Sequence, residues 1–412
     1  MLLGAVADDF TGATDLATTL RDRGLRTSVV IDDAIVDPAR LDGLDAVVVA
    51  LKTRTAPRDA AVAASEAALD RLLGWGAERI YLKYCSTFDS TDEGNIGPVL
   101  DAFAARLGVD RAVVVPAFPA NGRTVRDGVL RVGDALLSES SMRHHPLTPM
   151  TRSRISELLE PQTRAPITEI PLAVVRRGPD ALREALDGAE PGWLVVDAVD
   201  DDDLDTIARA TSRHRLVSGA AGLATGFEAR EGSAEDGFPR WSGRRLVVCG
   251  SASEATRGQI AHAVASGLPT RRVDVTRAMA DPAEEAAALG RWVRDLGPHE
   301  VPVVYSVGVP ADVVPRDGAG GAADAVERVL SVLVADLVGD GTVDRVVVAG
   351  GETSGAVVRA LGIDLLTVGP RLAPGVCWTA SVTGSGRDVA LVLKSGGFGA
   401  ADVFTSAWEV LS

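Results

Sequence analysis

Short runs of β-branched and aliphatic residues alternate with longer, alanine-rich segments through the first half of the chain. Strands are expected at residues 2–7, 26–31, 45–51, 79–83 and 111–116. Helices are expected between some of them, at residues 58–73 and 96–107. This alternation predicts a doubly wound parallel sheet covered by helices, in which ligands bind beyond the carboxyl ends of the strands.

The pattern weakens between residues 118 and 150, where neither helix nor strand is clear. An irregular insertion of this length is usually a functional loop or a contact between subunits, so a homodimer is one expectation. Further strands are expected at residues 167–174, 193–196 and 216–217. The acidic run at residues 200–203 is expected to cap and begin a helix, because carboxylates favour the amino end of a helix.

A second series of strands follows in the other half of the chain. It comprises residues 245–249, 272–275, 301–307, 345–349 and 389–393. Between the two series, residues 228–243 lose their periodicity and gain glycine, proline and charge, as domain linkers do. The chain of 412 residues also exceeds one ordinary hydrophobic core. We therefore predict two α/β domains, each a mostly parallel sheet flanked by helices, at residues 1–232 and 245–412 with a linker at 233–244.

Glycine-rich turns follow three strands of the second half. Adjacent glycines expose backbone N–H groups, and the start of a following helix adds unpaired donors, so such turns bind phosphates. Simple chain reversal explains one turn of this kind more readily than three at one sheet edge. The sequence has neither a P-loop motif nor a GxGxxG motif, which disfavours those two classes of nucleotide site. The residues expected to contact a nucleotide are Ser251, Ser253, Gly350, Gly351, Glu352, Thr353, Ser395, Gly396 and Gly397.

Polar residues of the first half gather where its predicted strands end. Arginine and lysine bind carboxylates, arginine with a two-pronged fork. Asp8 and Asp9 follow the first strand and are candidates to orient or deprotonate a hydroxyl. Helix capping explains either aspartate alone equally well, but it does not require both. The candidate substrate-binding residues are Arg54, Lys83, Cys85, Ser86, Thr87 and Asp89, of which Cys85 lacks the neighbouring histidine that a nucleophile needs.

Composition narrows the choice of partner and compartment. The 42 basic and 57 acidic residues give a net charge of −15, which argues against nucleic acid or an anionic membrane as a partner. Three cysteines without a paired spacing predict reduced thiols, and no leader or membrane span is expected, so a cytoplasmic protein is favoured. The five histidines lack a metal-binding spacing, so no metal site built from protein ligands is expected.

These motifs together resemble the four-carbon acid sugar kinase family over essentially the whole chain. The resemblance rests on residues 7–15, 52–54 and 83–91 in the first half and on residues 250–253, 350–355, 369–375 and 393–399 in the second. Three further blocks, at residues 93–98, 116–124 and 144–150, resemble the branch of that family that acts on 3-oxo-tetronates. That branch often has cysteine where Ala252 stands and asparagine where Gly397 stands, and both are changes among small residues.

The resemblance implies ATP-dependent phosphorylation of the 4-hydroxyl of a 3-oxo-tetronate, with Mg²⁺ accompanying the nucleotide. It implies that the first domain holds the acid sugar, that the second holds ATP, and that the active site lies in the interdomain cleft. Asp8 or Asp9 would orient the attacking hydroxyl, because phosphoryl transfer depends on positioning and charge neutralisation. The alternatives are a threonate or erythronate kinase of the same family and a non-catalytic, two-domain ligand-binding protein.

Overall fold

The computed structural model describes residues 2–32, 34–144, 148–229, 238–313 and 321–411. The chain divides into two compact units, Met1–Ala234 and Glu235–Ser412, and both are α/β, which confirms the predicted fold class. Residues 233–237 of the predicted linker lie outside the described residues, and a site between the two domains stays a prediction. Within the described ranges, no helix is long and apolar enough to span a bilayer.

The first unit alternates strands and helices along most of its length. Its strands are β1 Leu2–Ala7, β2 Thr27–Ile31, β3 Ala46–Ala50, β4 Ala77–Lys83, β5 Arg111–Val115, β6 Arg123–Arg126, β7 Val129–Val132, β8 Ala135–Leu136, β9 Ile167–Ile170, β10 Gly192–Val196 and β11 Leu216–Gly219. Its helices are α1 Phe10–Asp22, α2 Arg58–Gly74, α3 Ile96–Leu107, α4 Ile155–Leu159, α5 Leu172–Val175, α6 Pro179–Gly188 and α7 Asp201–Ala210.

The main sheet of this unit has the order β2-β3-β1-β4-β11-β5-β10-β9, and its strands are parallel throughout. Every residue of β2, β3 and β10 is buried, which is expected for strands covered by helices on both faces. Because the strands are parallel, their carboxyl ends meet at one edge, where β1 ends at Ala7, β3 at Ala50 and β4 at Lys83.

Two predictions in the first unit need correction. The strand expected at residues 167–174 stops at Ile170, because Pro171 lacks a backbone N–H, and the next residues form α5. The insertion at residues 118–150 contains the small antiparallel sheet β6-β7-β8, whose strands are too short to show a clear alternation. Asp197 anchors this sheet by accepting hydrogen bonds from the backbone N–H groups of Asp127 and Gly128.

The acidic run confirms its predicted role. Asp200 and Asp203 form a reciprocal capping box at the start of α7, with the Asp203 N–H donating to Asp200 Oδ1 at 2.9 Å. Arg176 pairs with both carboxylates, so these two acids have a structural role. Residues 145–147 of the block at 144–150 lie outside the described residues.

The second unit repeats the alternation and then departs from it. Its strands are β12 Arg245–Cys249, β13 Thr270–Arg272, β14 Val303–Tyr305, β15 Arg345–Ala349, β16 Leu365–Ala373, β17 Val376–Val382 and β18 Asp388–Lys394. Its helices are α8 Glu254–Ala265, α9 Val275–Ala280, α10 Pro282–Asp295, α11 Ala322–Gly339, α12 Gly351–Ala360 and α13 Val403–Ser406.

The sheet of the second unit has the order β13-β14-β12-β15-β18-β17-β16. The first five of these strands are parallel, whereas β17 and β16 are antiparallel and are absent from the sequence prediction. The strand expected at residues 272–275 ends at Arg272, because Asp274 caps α9 through the backbone N–H of Arg277. Trp378 on β17 packs against Trp408, 5.5 Å between ring centres, in the core beneath these strands.

Candidate active site

The carboxyl edge of the first unit's sheet brings together the charged residues that follow three strands. Asp8 and Asp9 follow β1, Arg54 lies just beyond β3, and Lys83 is the last residue of β4. The backbone N–H groups of Thr53 and Arg54 donate to the carbonyl of Asp8 at 3.0 and 3.2 Å, which holds the two loops together. The strand register therefore produces a cluster that sequence separation alone does not show.

Arg54 is the centre of this cluster. Its Nε and Nη2 donate to the two carboxylate oxygens of Asp8 at 2.9 and 2.7 Å, in the two-pronged geometry that arginine favours. Nη2 also lies 2.9 Å from Asp9 Oδ1, and Nη1 approaches Asp89 Oδ2 at 4.0 Å. The Arg54 side chain is only 20% exposed, so its charge is neutralised mainly by protein carboxylates rather than by water.

The two aspartates have different roles in the local structure. Asp9 caps α1, since its Oδ1 accepts from the Gly12 N–H at 2.8 Å and its Oδ2 accepts from the Thr11 hydroxyl at 2.9 Å. Asp8 is no cap and serves mainly to hold Arg54. The sequence left open whether the two aspartates cap a helix or act on a hydroxyl. Helix capping accounts for Asp9, but it does not account for Asp8.

Their protonation differs accordingly. Burial raises the pKa of Asp8, and the charge of Arg54 only partly opposes this. Burial also acts to raise the pKa of Asp9, but Arg54, Lys83 and the bonds from Thr11 and Gly12 outweigh it and lower that pKa. Asp9, whose side chain is 27% exposed, is therefore the carboxylate that stays ionised over the wider pH range.

The segment after β4 completes one wall of the cluster. Lys83 is buried, and its Nζ donates to the carbonyl of Tyr84 at 2.9 Å. Thr87 donates to Asp89 Oδ1 at 2.6 Å and lies 2.9 Å from Cys85 Sγ. Burial raises the pKa of the Cys85 thiol to about 12, so the group is a neutral thiol at physiological pH. Ser86 is half-buried in the same segment.

A small cavity adjoins this cluster and includes residues to which sequence reasoning assigned no role. Its polar lining comprises Asp8, Thr53, Arg54, Ser65, Lys83, Asp89, Ser90 and Asn95. Asn95 donates its amide to the carbonyls of Thr53 and Ala56 at 2.8 and 2.9 Å, which fixes the loop that carries Arg54. Its Oδ1 is buried without a hydrogen-bond partner in the described structure. In the sequence, Asn95 was noted only as part of the block at residues 93–98, without a role of its own.

The three glycine turns of the second unit also meet. They follow β12, β15 and β18, which are neighbours in the sheet and end at Cys249, Ala349 and Lys394. A Cβ added at Gly250 would collide with Thr353 Oγ1, and one added at Gly396 would collide with Ser251 Oγ. The turns therefore pack so closely that a side chain at either glycine would require a neighbouring hydroxyl group to move.

Side-chain hydrogen bonds fix the geometry of these turns. Ser253 caps α8 and donates its hydroxyl to the carbonyl of Gly396 at 2.6 Å, and the Thr256 hydroxyl donates to the same carbonyl at 2.9 Å. Gly350 begins α12 at φ 130°, a conformation that favours glycine, and supplies no side-chain cap for the first N–H groups of the helix. Of the other predicted contacts, Glu352 and Gly397 are exposed, Thr353 is buried, and Gly351 and Ser395 lie at the turns.

Lys394 is the last residue of β18, and its environment is unusual for a lysine. Its side chain is fully buried, its Nζ lies 3.4 Å from Thr256 Oγ1, and the ring centre of Phe404 is 6.0 Å away. Burial lowers the pKa of this lysine to about 8, with slight opposition from Cys249. In the described ranges, no cluster of three His, Cys, Asp or Glu side chains is arranged to hold a metal ion.

Comparison with known families identifies both units. Residues 3–227 match the sugar-binding N-terminal domain and residues 246–404 match the nucleotide-binding C-terminal domain. The class defined by these two domains is that of a sugar kinase, a phosphotransferase. The chain belongs to the four-carbon acid sugar kinase family, which confirms the resemblance seen in the sequence.

Relatives that match essentially the whole chain support the same family assignment. A 3-oxo-tetronate kinase of Brucella melitensis is 41% identical over 429 residues, covering 100% of this chain and 96% of the relative. A 3-oxo-tetronate kinase of Cupriavidus necator is 43% identical over 428 residues, covering 100% and 97%. The crystal structure of a suggested tRNA synthase from Salmonella typhimurium LT2 is 40% identical, covers 99% of each chain and has a TM-score of 0.90. The two kinase relatives place the protein among kinases.

Proposed function

We propose that this kinase transfers the γ-phosphate of ATP to the 4-hydroxyl of a 3-oxo-tetronate. The names of the Brucella and Cupriavidus relatives support this choice of substrate. The observation that carries the proposal is the cluster of Asp8, Asp9, Arg54 and Lys83 at the carboxyl edge of the sugar-binding unit. It combines two cations, which suit an acid sugar, with carboxylates that suit its hydroxyl groups.

The acid sugar binds through the cations of this cluster. Nη1 of Arg54 has only the 4.0 Å approach of Asp89 among the described residues, so this nitrogen is the one left to bind the substrate carboxylate. Lys83 supplies a second positive charge close to Asp9. Ser86, Thr87 and Asp89 then bind the sugar oxygens, and Cys85 contributes contact rather than nucleophilic chemistry, because its thiol is protonated.

Asp9 is the carboxylate that orients the attacking hydroxyl. Asp8 is engaged by both prongs of Arg54, whereas Asp9 is more exposed and more strongly ionised. The oxygen of the 4-hydroxyl forms a bond to the γ-phosphorus while the bond from that phosphorus to the β,γ-bridging oxygen breaks and ADP leaves. The hydroxyl proton passes to Asp9 and then to solvent.

ATP binds at the glycine turns of the second unit. The fit rests on the close approach of Gly250, Gly350 and Gly396 and on the uncapped N–H groups at the start of α12, which together make a cradle for phosphate oxygens. Ser251, Ser253, Thr353 and Ser395 supply hydroxyl groups beside it. Mg²⁺ would come with the nucleotide and would neutralise charge on the β- and γ-phosphates, as it does where phosphates supply most of its ligands.

The product has a consequence for metabolism. A 3-oxo acid carries its ketone β to the carboxylate, and this arrangement loses carbon dioxide readily. We therefore place the reaction before a decarboxylation, in the breakdown of threonate or erythronate.

A kinase assay with purified protein tests the substrate. ATP is offered with 3-oxo-tetronate, threonate or erythronate separately, and ADP release is coupled to NADH oxidation. We expect turnover of the oxo acid and slow or no turnover of the other two. Fast turnover of threonate with none of the oxo acid would contradict the proposal and favour the neighbouring activity within the family.

A further inference from the structure

A second pocket lies at the opposite edge of the first unit's sheet. Its volume is about 890 Å³, and it is formed by the amino ends of β1 and β4, the end of α1, and helices α6 and α7. Four of its lining residues are arginines, at positions 23, 79, 183 and 209. Three carboxylates, at positions 180, 205 and 228, also line it, so the arginines exceed the acids by one in a chain whose net charge is −15.

Two of the four arginines are neutralised locally. Arg183 pairs with Asp180 at 2.8 Å, and Arg209 lies 3.5 Å from Asp205. The other two, Arg23 and Arg79, donate hydrogen bonds to backbone carbonyls: Arg23 Nε to that of Phe227 at 2.7 Å, and Arg79 Nη2 to that of Thr211 at 3.2 Å. Neither forms an ion pair with a carboxylate in the part of the chain that the structure describes.

Arg79 is the more informative of this pair. Its Nε is buried without a hydrogen-bond partner among the described residues, and its guanidinium lies 4.5 Å from the ring centre of Phe227. Burial lowers the pKa of Arg79 to about 10, which reflects a charge held away from water without a compensating acid. A largely buried cation without a carboxylate partner carries a desolvation cost, which an anionic ligand would offset.

We propose that this pocket binds a small ligand through a multiply charged oxyanion group, a phosphate or a polycarboxylate, held between Arg23 and Arg79. The guanidinium fork matches such groups with two parallel hydrogen bonds. The site is separate from the catalytic cluster. β4 begins at the pocket and ends at Lys83, and the four residue steps from Arg79 to Lys83 span about 13 Å of strand. The inference therefore does not depend on which acid the kinase phosphorylates.

Titration calorimetry with inorganic phosphate and, separately, with citrate tests the proposal. Wild-type protein is compared with Arg79→Gln and with Arg183→Gln, whose arginine lines the same pocket but is already paired with Asp180. Buffers are matched with chloride to equal ionic strength, which removes general screening. We expect Arg79→Gln to weaken binding of at least one anion tenfold or more and Arg183→Gln to change it less than twofold. The anion that responds identifies the chemical group.

Circular dichroism and kinase turnover check that Arg79→Gln is folded, since the catalytic cluster lies at the other sheet edge. If Arg79→Gln does not fold, Arg23→Gln is used in the binding experiment instead. The proposal is overturned if both Arg79→Gln and Arg23→Gln bind phosphate and citrate as tightly as wild type, or if wild type binds neither anion. Equal losses in Arg79→Gln and Arg183→Gln would overturn it too, because they would reflect net charge rather than a site.

Discussion

Replacing Arg54 by methionine should reduce stability and substrate affinity together, and the two effects are separable. Methionine keeps an apolar stem of similar length but removes the charge that Asp8 and Asp9 share. Breaking a buried ion pair by removing one partner costs about 3–5 kcal/mol, because the remaining charge is left uncompensated. The total stability of a domain is roughly 5–15 kcal/mol, so this loss would be a large share of it.

The loss should depend on pH in a defined direction. Without Arg54, burial raises the pKa of Asp8 further above its unfolded value, since the main opposing charge is gone. A carboxyl whose folded pKa is raised binds more protons when folded, so stability increases as pH falls towards the unfolded pKa. We therefore expect the deficit of Arg54→Met to be largest at pH 7 and clearly smaller at pH 5.

Urea unfolding at both pH values measures the deficit, and Arg106→Met is the control. Arg106 pairs with Asp70 at 2.9 Å, but both side chains are more than half exposed, and such surface pairs contribute at most about 1 kcal/mol. In the kinase assay, Arg54→Met should raise KM for the acid roughly tenfold or more, for a lost charge-assisted bond of about 1.5–3 kcal/mol, without changing KM for ATP. A deficit equal to that of Arg106→Met, or one independent of pH, would refute this account of the cluster.

Three further outcomes are expected. Gly396→Ala should raise KM for ATP about tenfold, because the new Cβ would meet Ser251 Oγ. The control Gly258→Ala, in an open position on α8, should leave KM for ATP unchanged. Equal effects of the two substitutions would contradict the proposal that the glycine turns bind ATP. Lys394→Met should stabilise the fold by up to ~3 kcal/mol at pH 7 but lower turnover. In urea unfolding, this gain in stability should shrink between pH 8 and 10, because the lysine of the wild-type protein is then uncharged when folded. Cys85→Ser should retain most turnover, and iodoacetamide at pH 8 should inactivate wild type only slowly, because the thiol is protonated.

The sequence was sufficient for elements with a strong local pattern. β1, α3, β12 and β15 begin and end where the apolar pattern predicted, because the three strands are short apolar runs and α3 has apolar residues at helical spacing. The capping box at Asp200 was likewise predictable, since a cap depends on residues only three positions apart. The helix starts after Pro171 and Asp274 were missed because apolar residues on both sides of the proline and of the cap were assigned to one strand.

The sequence pattern did not predict which distant strands pair with one another. The antiparallel strands β16 and β17 do not alternate with helices, so the βα pattern offered no place for them. Within the candidate site, the positions of Asp8, Arg54 and Lys83 were predictable as strand ends, but the ion pairs among them depend on sheet register. From the sequence, Arg54 was expected to be a cation free to bind the substrate. In the structure, two of its three guanidinium nitrogens donate hydrogen bonds to Asp8.

The groups that raise the energy of the fold lie where chemistry is proposed. Lys394 is a fully buried cation with a lowered pKa beneath the glycine turns, and Asp8 is a buried carboxyl with a raised pKa beside Arg54. An apolar residue of the same volume would stabilise the fold at position 394, as it often does where a buried charge is replaced. Removing Asp8 alone would instead leave Arg54 without its main partner and would destabilise the fold. Stability therefore does not explain Lys394, whereas a cation held in place before the proposed triphosphate arrives would lower the cost of reorganisation during transfer. If Lys394→Met were both more stable and fully active, this explanation would fail for the nucleotide half of the site, and the lysine would have no function that the structure explains.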